Sequence, residues 1–167
     1  MRNMKIVLLA LLCALPLAAQ SDQDLPPALR RALDRFQLFN ACQPMSLMTG
    51  LLNADDADIG VTEGALRAAA ESRLQSARLY TEDGFMTGSP VLTVRVNVVG
   101  LAFAVDVRFE KIVYDAFENQ GRTMTWQASS LGTQGRNAGN IMTALSQHLD
   151  KSLAEYLRVN EAACESR

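Results

Sequence analysis

The chain has 167 residues, 49% of them hydrophobic, with 16 basic and 18 acidic side chains and a formal net charge of −2. That apolar content excludes a disordered polymer, because it can offset ordering entropy in a packed core. The charge balance excludes the basic face on which general nucleic-acid binding rests. No apolar run beyond the first residues nears the roughly 20 residues of a membrane span, so no stable membrane insertion is expected.

Arg2 and Lys5 open the chain, Ile6 to Leu15 is apolar, and Pro16 precedes the small pair Ala18-Ala19. This is the three-part pattern of a secretory signal over residues 1–20. Cys13 does not read as a lipid-attachment site, because Leu12 rather than a small residue precedes it and it lies inside the apolar run. The remainder, residues 21–167, is the size of a single globular domain, with its core over about 26–164. Without Arg2 and Lys5 the basic groups fall from 16 to 14 against 18 acids, a balance of −4.

Cys42 and Cys164 then remain. One cysteine at each end has neither C-x-x-C spacing nor histidine company, which argues against a redox or metal pair. In an oxidising compartment the two are expected to form a disulfide, stabilising the fold by about 4–5 kcal/mol on a loop-entropy model.

After a polar stretch, Leu25-Pro26-Pro27 starts a helix, where proline is tolerated in the first turn. Leu29, Ala32, Leu33 and Phe36 give it one apolar stripe, and it is expected to run to about Asn40. From Pro44 the period changes to two, and Met45, Leu47, Thr49 and Leu51 mark a first strand. Asn53 to Gly60 is an acidic loop. Thr62 is a suitable N-cap and Glu63 suits the first-turn dipole of a helix to about Arg78. A short strand over Leu79 to Glu82 is expected to follow.

Val91 to Val99 has apolar even positions, and Leu101 to Phe109 has apolar odd ones. An antiparallel hairpin about Val99-Gly100 sets Val96 against Phe103 and Val94 against Val105, so both apolar sets share a face and Arg95 points to solvent. A further strand, Arg122 to Ala128, completes a three-strand meander. A loop over Leu131 to Gly135 leads to a final helix with Ala138, Ile141, Leu145, Leu149, Leu153 and Tyr156 on its apolar face. Cys164 is expected just beyond that helix. The order predicts an α/β (α+β) two-layer sandwich, with a mixed or antiparallel sheet and helices on one face only.

Catalytic motifs fail on spacing. The acidic loop lacks the mid-loop glycine and closing glutamate of an EF-hand, and Gly132 to Asn137 lacks a Walker or dinucleotide signature and reads as a tight turn. No G-x-S-x-G or S-x-x-K is present. Asp106, Arg108 and Glu110 share the outer sheet face with Arg95 and read as a cross-strand salt-bridge lattice on open surface. His148, the only histidine, is expected to stand without a serine, cysteine or carboxylate arranged to activate it. Neither catalytic residues, metal ligands nor a cofactor are assigned. Three residues are candidate binding groups: Arg136 at the start of the last helix, Trp126 as an aromatic near a sheet edge, and His148.

The stretches Val94-Arg-Val-Asn-Val, Val105-Asp-Val-Arg-Phe-Glu-Lys, Thr125-Trp126 and Leu153-Ala-Glu-Tyr-Leu-Arg-Val-Asn160 resemble small exported bacterial proteins over roughly residues 42–164. The element order is also similar to the amino-terminal domain of TolB and to envelope lipoproteins that activate peptidoglycan synthases. The resemblance implies protein–protein interaction in the cell envelope, and no family residue carries over to a position here. The expected function is therefore that of a periplasmic or secreted soluble binding module with an envelope protein as partner. A carrier of a small apolar ligand between sheet and helices is the alternative, and a hydrolase of unrecognised type the third reading.

Overall fold

The period-two stretches assemble into one sheet. A computed structural model describes residues 25–53, 60–82, 88–133 and 138–166. The elements are α1 (Pro27–Leu38), β1 (Ser46–Leu52), α2 (Glu63–Ser76), β2 (Val91–Val99), β3 (Ala102–Tyr114), β4 (Gln120–Thr133) and α3 (Ala138–Glu165). The strand order is β1-β2-β3-β4. β1 lies parallel to β2, while β2, β3 and β4 form the antiparallel meander. This is the α+β architecture that the alternating patterns predict. The leader, residues 54–59 of the acidic loop and Arg136 fall outside the described residues.

The inner sheet face carries Val94, Val96, Val105 and Val107, all fully buried. Leu66, Ala70 and Leu74 of α2 and Ile141, Leu145 and Leu149 of α3 join the same core. Burying each large aliphatic side chain contributes about 1.5–3 kcal/mol. Thr62 caps α2 as its sequence predicts, its hydroxyl accepting from the Ala65 N–H at 3.1 Å. Phe109 and Tyr156 join sheet to α3 with ring centroids 5.8 Å apart.

The β2–β3 register differs from the predicted one along its whole length, by two positions. Val94 faces Val107, Val96 faces Val105, and pairing closes at Val99 and Ala102. The loop is Gly100-Leu101, with Gly100 at φ +57°, a left-handed conformation that costs glycine little. Moving the turn by one residue shifts every partner by two positions. An even shift keeps each side chain on its face, so Arg95 is still exposed, and it lies directly opposite Asp106.

Other boundaries also move. Leu79 to Glu82 makes only an isolated bridge, Met45 with Tyr80, and no strand. β4 runs well past Ala128, and α3 contains Cys164 rather than ending before it. Gly132 accordingly sits in β4 and not in a turn. A Cβ there would lie 2.7 Å from the Phe103 ring, so the close cross-strand approach requires glycine. A bulge leaves Thr125 as the extra residue between Met124 and Trp126, and its hydroxyl donates to the Gln37 carbonyl at 2.6 Å.

The Cys42–Cys164 disulfide is present, with Cα atoms 5.2 Å apart. Beside it Asn160, 1% exposed, joins α3 to the α1–β1 connection. Its Oδ1 accepts from the Asn40 and Cys42 N–H groups at 3.0 and 3.2 Å. Its Nδ2 donates to the Leu38 and Tyr156 carbonyls at 3.0 and 2.9 Å. Ala41 and Cys42 both have φ of +57°, unusual for residues with a Cβ, and this network holds them there.

Candidate binding surfaces

Two surfaces stand out, one on each side of the sheet. On the helix side α1 lies beside α3, tied by the Arg158–Asp34 ion pair at 2.8 Å. Between them and β4 opens a groove of about 570 Å³, within the usual range for ligand sites. Arg30 and Gln37 of α1, Trp126 and Gln127 of β4, and Lys151 and Arg158 of α3 line it. Trp126 is 7% exposed and donates its indole N–H to Glu155 Oε2 at 2.8 Å. Lys151 approaches the same carboxylate at 3.8 Å. Both acids of the groove, Asp34 and Glu155, thus already have partners within the protein.

The helix-free face divides into bands. Across it, Leu52, Asn97, Ala104 and Leu131 are successive neighbours on four strands, a row about 14 Å wide at ordinary strand spacing. Beyond them lie Val99 and the turn residue Leu101. The exposures are 87% for Leu131, 65% for Val99, 58% for Leu101 and 49% for Leu52. This end of the face carries no charged side chain among the described residues.

The next rows are charged, in a different arrangement from the predicted lattice. Asp106 pairs with Arg108 along its own strand, since both point outward from β3. Glu110 accepts from the Thr93 hydroxyl at 3.0 Å. The Asp106 side chain is only 14% exposed, so the expectation of open surface fails there. Asp106 Oδ1 and Arg108 Nε are buried without a hydrogen-bond partner among the described residues.

His148 also departs from expectation, because a serine does meet it. Its Nε2 lies 2.8 Å from Ser130 Oγ, joining α3 to the inner face of β4. The predicted strand stopped at Ala128 and left Ser130 outside it, which hid this pairing. Burial and the Lys151 charge lower the imidazole pKa below its ordinary value, against an opposing pull from Asp106. Among the described residues no carboxylate bonds the other ring nitrogen. Ser130 and Trp126 are four positions apart on β4, roughly 13 Å of strand, so the sequence candidates Trp126 and His148 do not form one site.

Arg30, Lys151, Glu155 and Arg158 were missed by motif reasoning. Their signal is periodic: Arg30 and Asp34 are one turn apart, and Lys151, Glu155 and Arg158 follow one face of α3. Among the described residues no helix is long and apolar enough to cross a membrane, and no three His, Cys, Asp or Glu side chains gather to hold a metal.

No protein-family model and no curated protein matches the chain. Among solved structures, the N-terminal domain of Protein Y from Thermus thermophilus is similar over 75% of this chain and 99% of that one, at 13% identity and a TM-score of 0.28. That neighbour is not TolB-like, and the likeness is one of distant fold only.

Proposed function

We propose that the protein is an exported binding module that engages another protein in the bacterial cell envelope, in the periplasm or after secretion. The end of the open sheet face that carries no charged side chain among the described residues supports this reading most. Soluble proteins seldom leave contiguous apolar surface uncovered unless something docks on it, and Leu52, Val99, Leu101 and Leu131 are all exposed there. The leader pattern of residues 1–20 and the Cys42–Cys164 bond support an oxidising destination. A carrier of an apolar ligand would need room between the layers, where Leu66, Leu74, Leu145 and Leu149 instead pack against Val94 and Val105 with no exposure.

The test places a photo-crosslinking residue at Leu52 or Val99 in the full chain expressed in its own cells. The expected result is one discrete adduct in the periplasmic or culture fraction, lost when Leu101→Asp and Leu131→Asp are added while the melting temperature holds. Adducts that survive those changes, or a chain retained in the cytoplasm, would overturn the proposal.

A further inference from the structure

We infer that the outer edge of β4 is a self-association site, and that it takes the same edge of a second copy of this chain. The two β4 strands pair antiparallel about a two-fold axis at Leu131, which fuses two four-stranded sheets into one.

The first observation is the edge itself. β4 is 14 residues long and pairs only with β3. None of the backbone hydrogen bonds that the described residues make outside helices and strands involves it. α1 meets the strand at Thr125, whose hydroxyl donates to the Gln37 carbonyl. At the other end the Asn140 amide donates to the Thr133 carbonyl at 3.3 Å, and the span from Ala128 to Gly132 lies between these contacts. An added strand can bond its main chain to such a span. The far edge of the sheet is partly taken. Just before β1 the Met45 N–H donates to the Leu79 carbonyl, and the Thr81 N–H to the Met45 carbonyl. Pairing through one edge only gives a closed two-fold pair rather than a fibre.

Charge decides the occupant. A two-fold axis sets each side chain near its own kind, so a charge beside the axis would repel its copy. Residues 123–133 contain no Asp, Glu, Lys, Arg or Pro, the devices that usually keep edge strands apart. α3 runs alongside, joined to the strand through His148–Ser130 and Asn140–Thr133. Its residues 138–149 also lack Asp, Glu, Lys and Arg. A charged segment finds no counter-charge on this flank, whereas an identical uncharged edge meets no repulsion.

Leu131 sets the register. It is the most exposed large apolar side chain among the described residues, at 87%, and with the axis there it is covered by its own copy. Ser129 then faces Thr133 of the second copy, and Ser130 faces its Gly132. This parity keeps outward side chains on the outward face. The row Leu52, Asn97, Ala104, Leu131 continues into the second copy, about 34 Å from end to end at ordinary strand spacing. The inference does not depend on an envelope partner, because the open face stays open in the pair.

Sedimentation equilibrium of the disulfide-bonded protein without its leader, from about 1 μM to about 0.1 mM, should show a monomer–dimer equilibrium. Leu131→Lys and Leu131→Glu should each raise the dissociation constant about tenfold or more, because like charges then face each other. Their circular dichroism should be unchanged, and mixing them should restore a one-to-one pair. With Cys13 removed and Cys42 bonded to Cys164, Leu131→Cys supplies the sole free thiol. A short bis-maleimide should join two such copies, while Leu52→Cys, about 34 Å from its mate, should stay unjoined.

A chain that remains monomeric at about 0.1 mM would overturn the inference. So would a dimer that survives Leu131→Lys, or charge-swapped chains that fail to recombine. Leu52→Cys joining as readily as Leu131→Cys, or a dimer lost on Leu52→Lys alone, would move the contact to the open face and overturn it too.

Discussion

Asn160 shows how much one polar residue can hold. Four hydrogen bonds satisfy its amide where water is excluded, and each bond to a buried group left unmade costs about 1–3 kcal/mol. His148 is held less firmly, and its pH response follows from its surroundings. Burial first, and Lys151 second, lower its pKa, with Asp106 acting the other way. The unfolded chain therefore takes up this proton more readily than the folded one, and stability rises with pH across the window between the two values. Its contribution is complete above about pH 6.5, the ordinary imidazole value, and is lost as the pH falls from there through the lowered folded value. Melting curves between pH 8 and pH 5 should show a steeper acid loss for the native chain than for His148→Gln, which keeps a group able to bond Ser130. Equal slopes would assign the acid loss to other groups.

At the scale of elements, α1 is the least conventional member. Its stripe of Leu29, Ala32, Leu33 and Phe36 predicts a face buried along its length, yet Leu29 and Phe36 are exposed and only Leu38 is fully buried. The helix is seated chiefly at its C-terminal end. There the Lys111 ammonium donates to the Phe39 carbonyl at 2.9 Å and lies 5.8 Å from the Phe36 ring. A cation at a helix C-terminus satisfies an orphan carbonyl and opposes the dipole, although partial burial lowers the Lys111 pKa. Lys111→Met keeps the stem and removes the charge. Amide exchange in α1 should then quicken about tenfold, the equivalent of one charged hydrogen bond, with β2 and β3 unchanged. Uniform quickening throughout would instead mean global destabilisation.

The sheet was more legible than this helix because alternation is a local property. Positions 91–109 declare their faces without reference to the rest of the chain, whereas the exposure of Phe36 depends on where α1 docks. Strand ends were less legible: Ser129, Ser130 and Gly132 carry weak strand preference, yet they continue β4 because β3 offers partners as far as Ala102. The groove has no motif, since its cations come from two helices whose alignment only the tertiary structure fixes.

For the whole molecule, the disulfide and Asn160 act at one place, joining α3 to the connection between α1 and β1. The bond closes a separation of 122 residues, nearly the full length of the domain. Replacing both cysteines by serine should lower the unfolding free energy by about 2–5 kcal/mol, read as a lower urea midpoint. An unchanged midpoint would mean that Asn160 and the packing of α3 already restrain the chain ends. In that case Ala41 and Cys42 should keep their left-handed geometry in the reduced protein.

The order of synthesis gives that same bond a role in time. Cys42 leaves the ribosome 122 residues ahead of Cys164, which lies in the last turn of α3. In the folded protein the two sulfurs are held together by the packing of α3 beside the α1–β1 connection. The bond therefore has to wait for synthesis of α3: a chain stalled before Cys164 keeps its Cys42 thiol, and one that has passed it can acquire the bond.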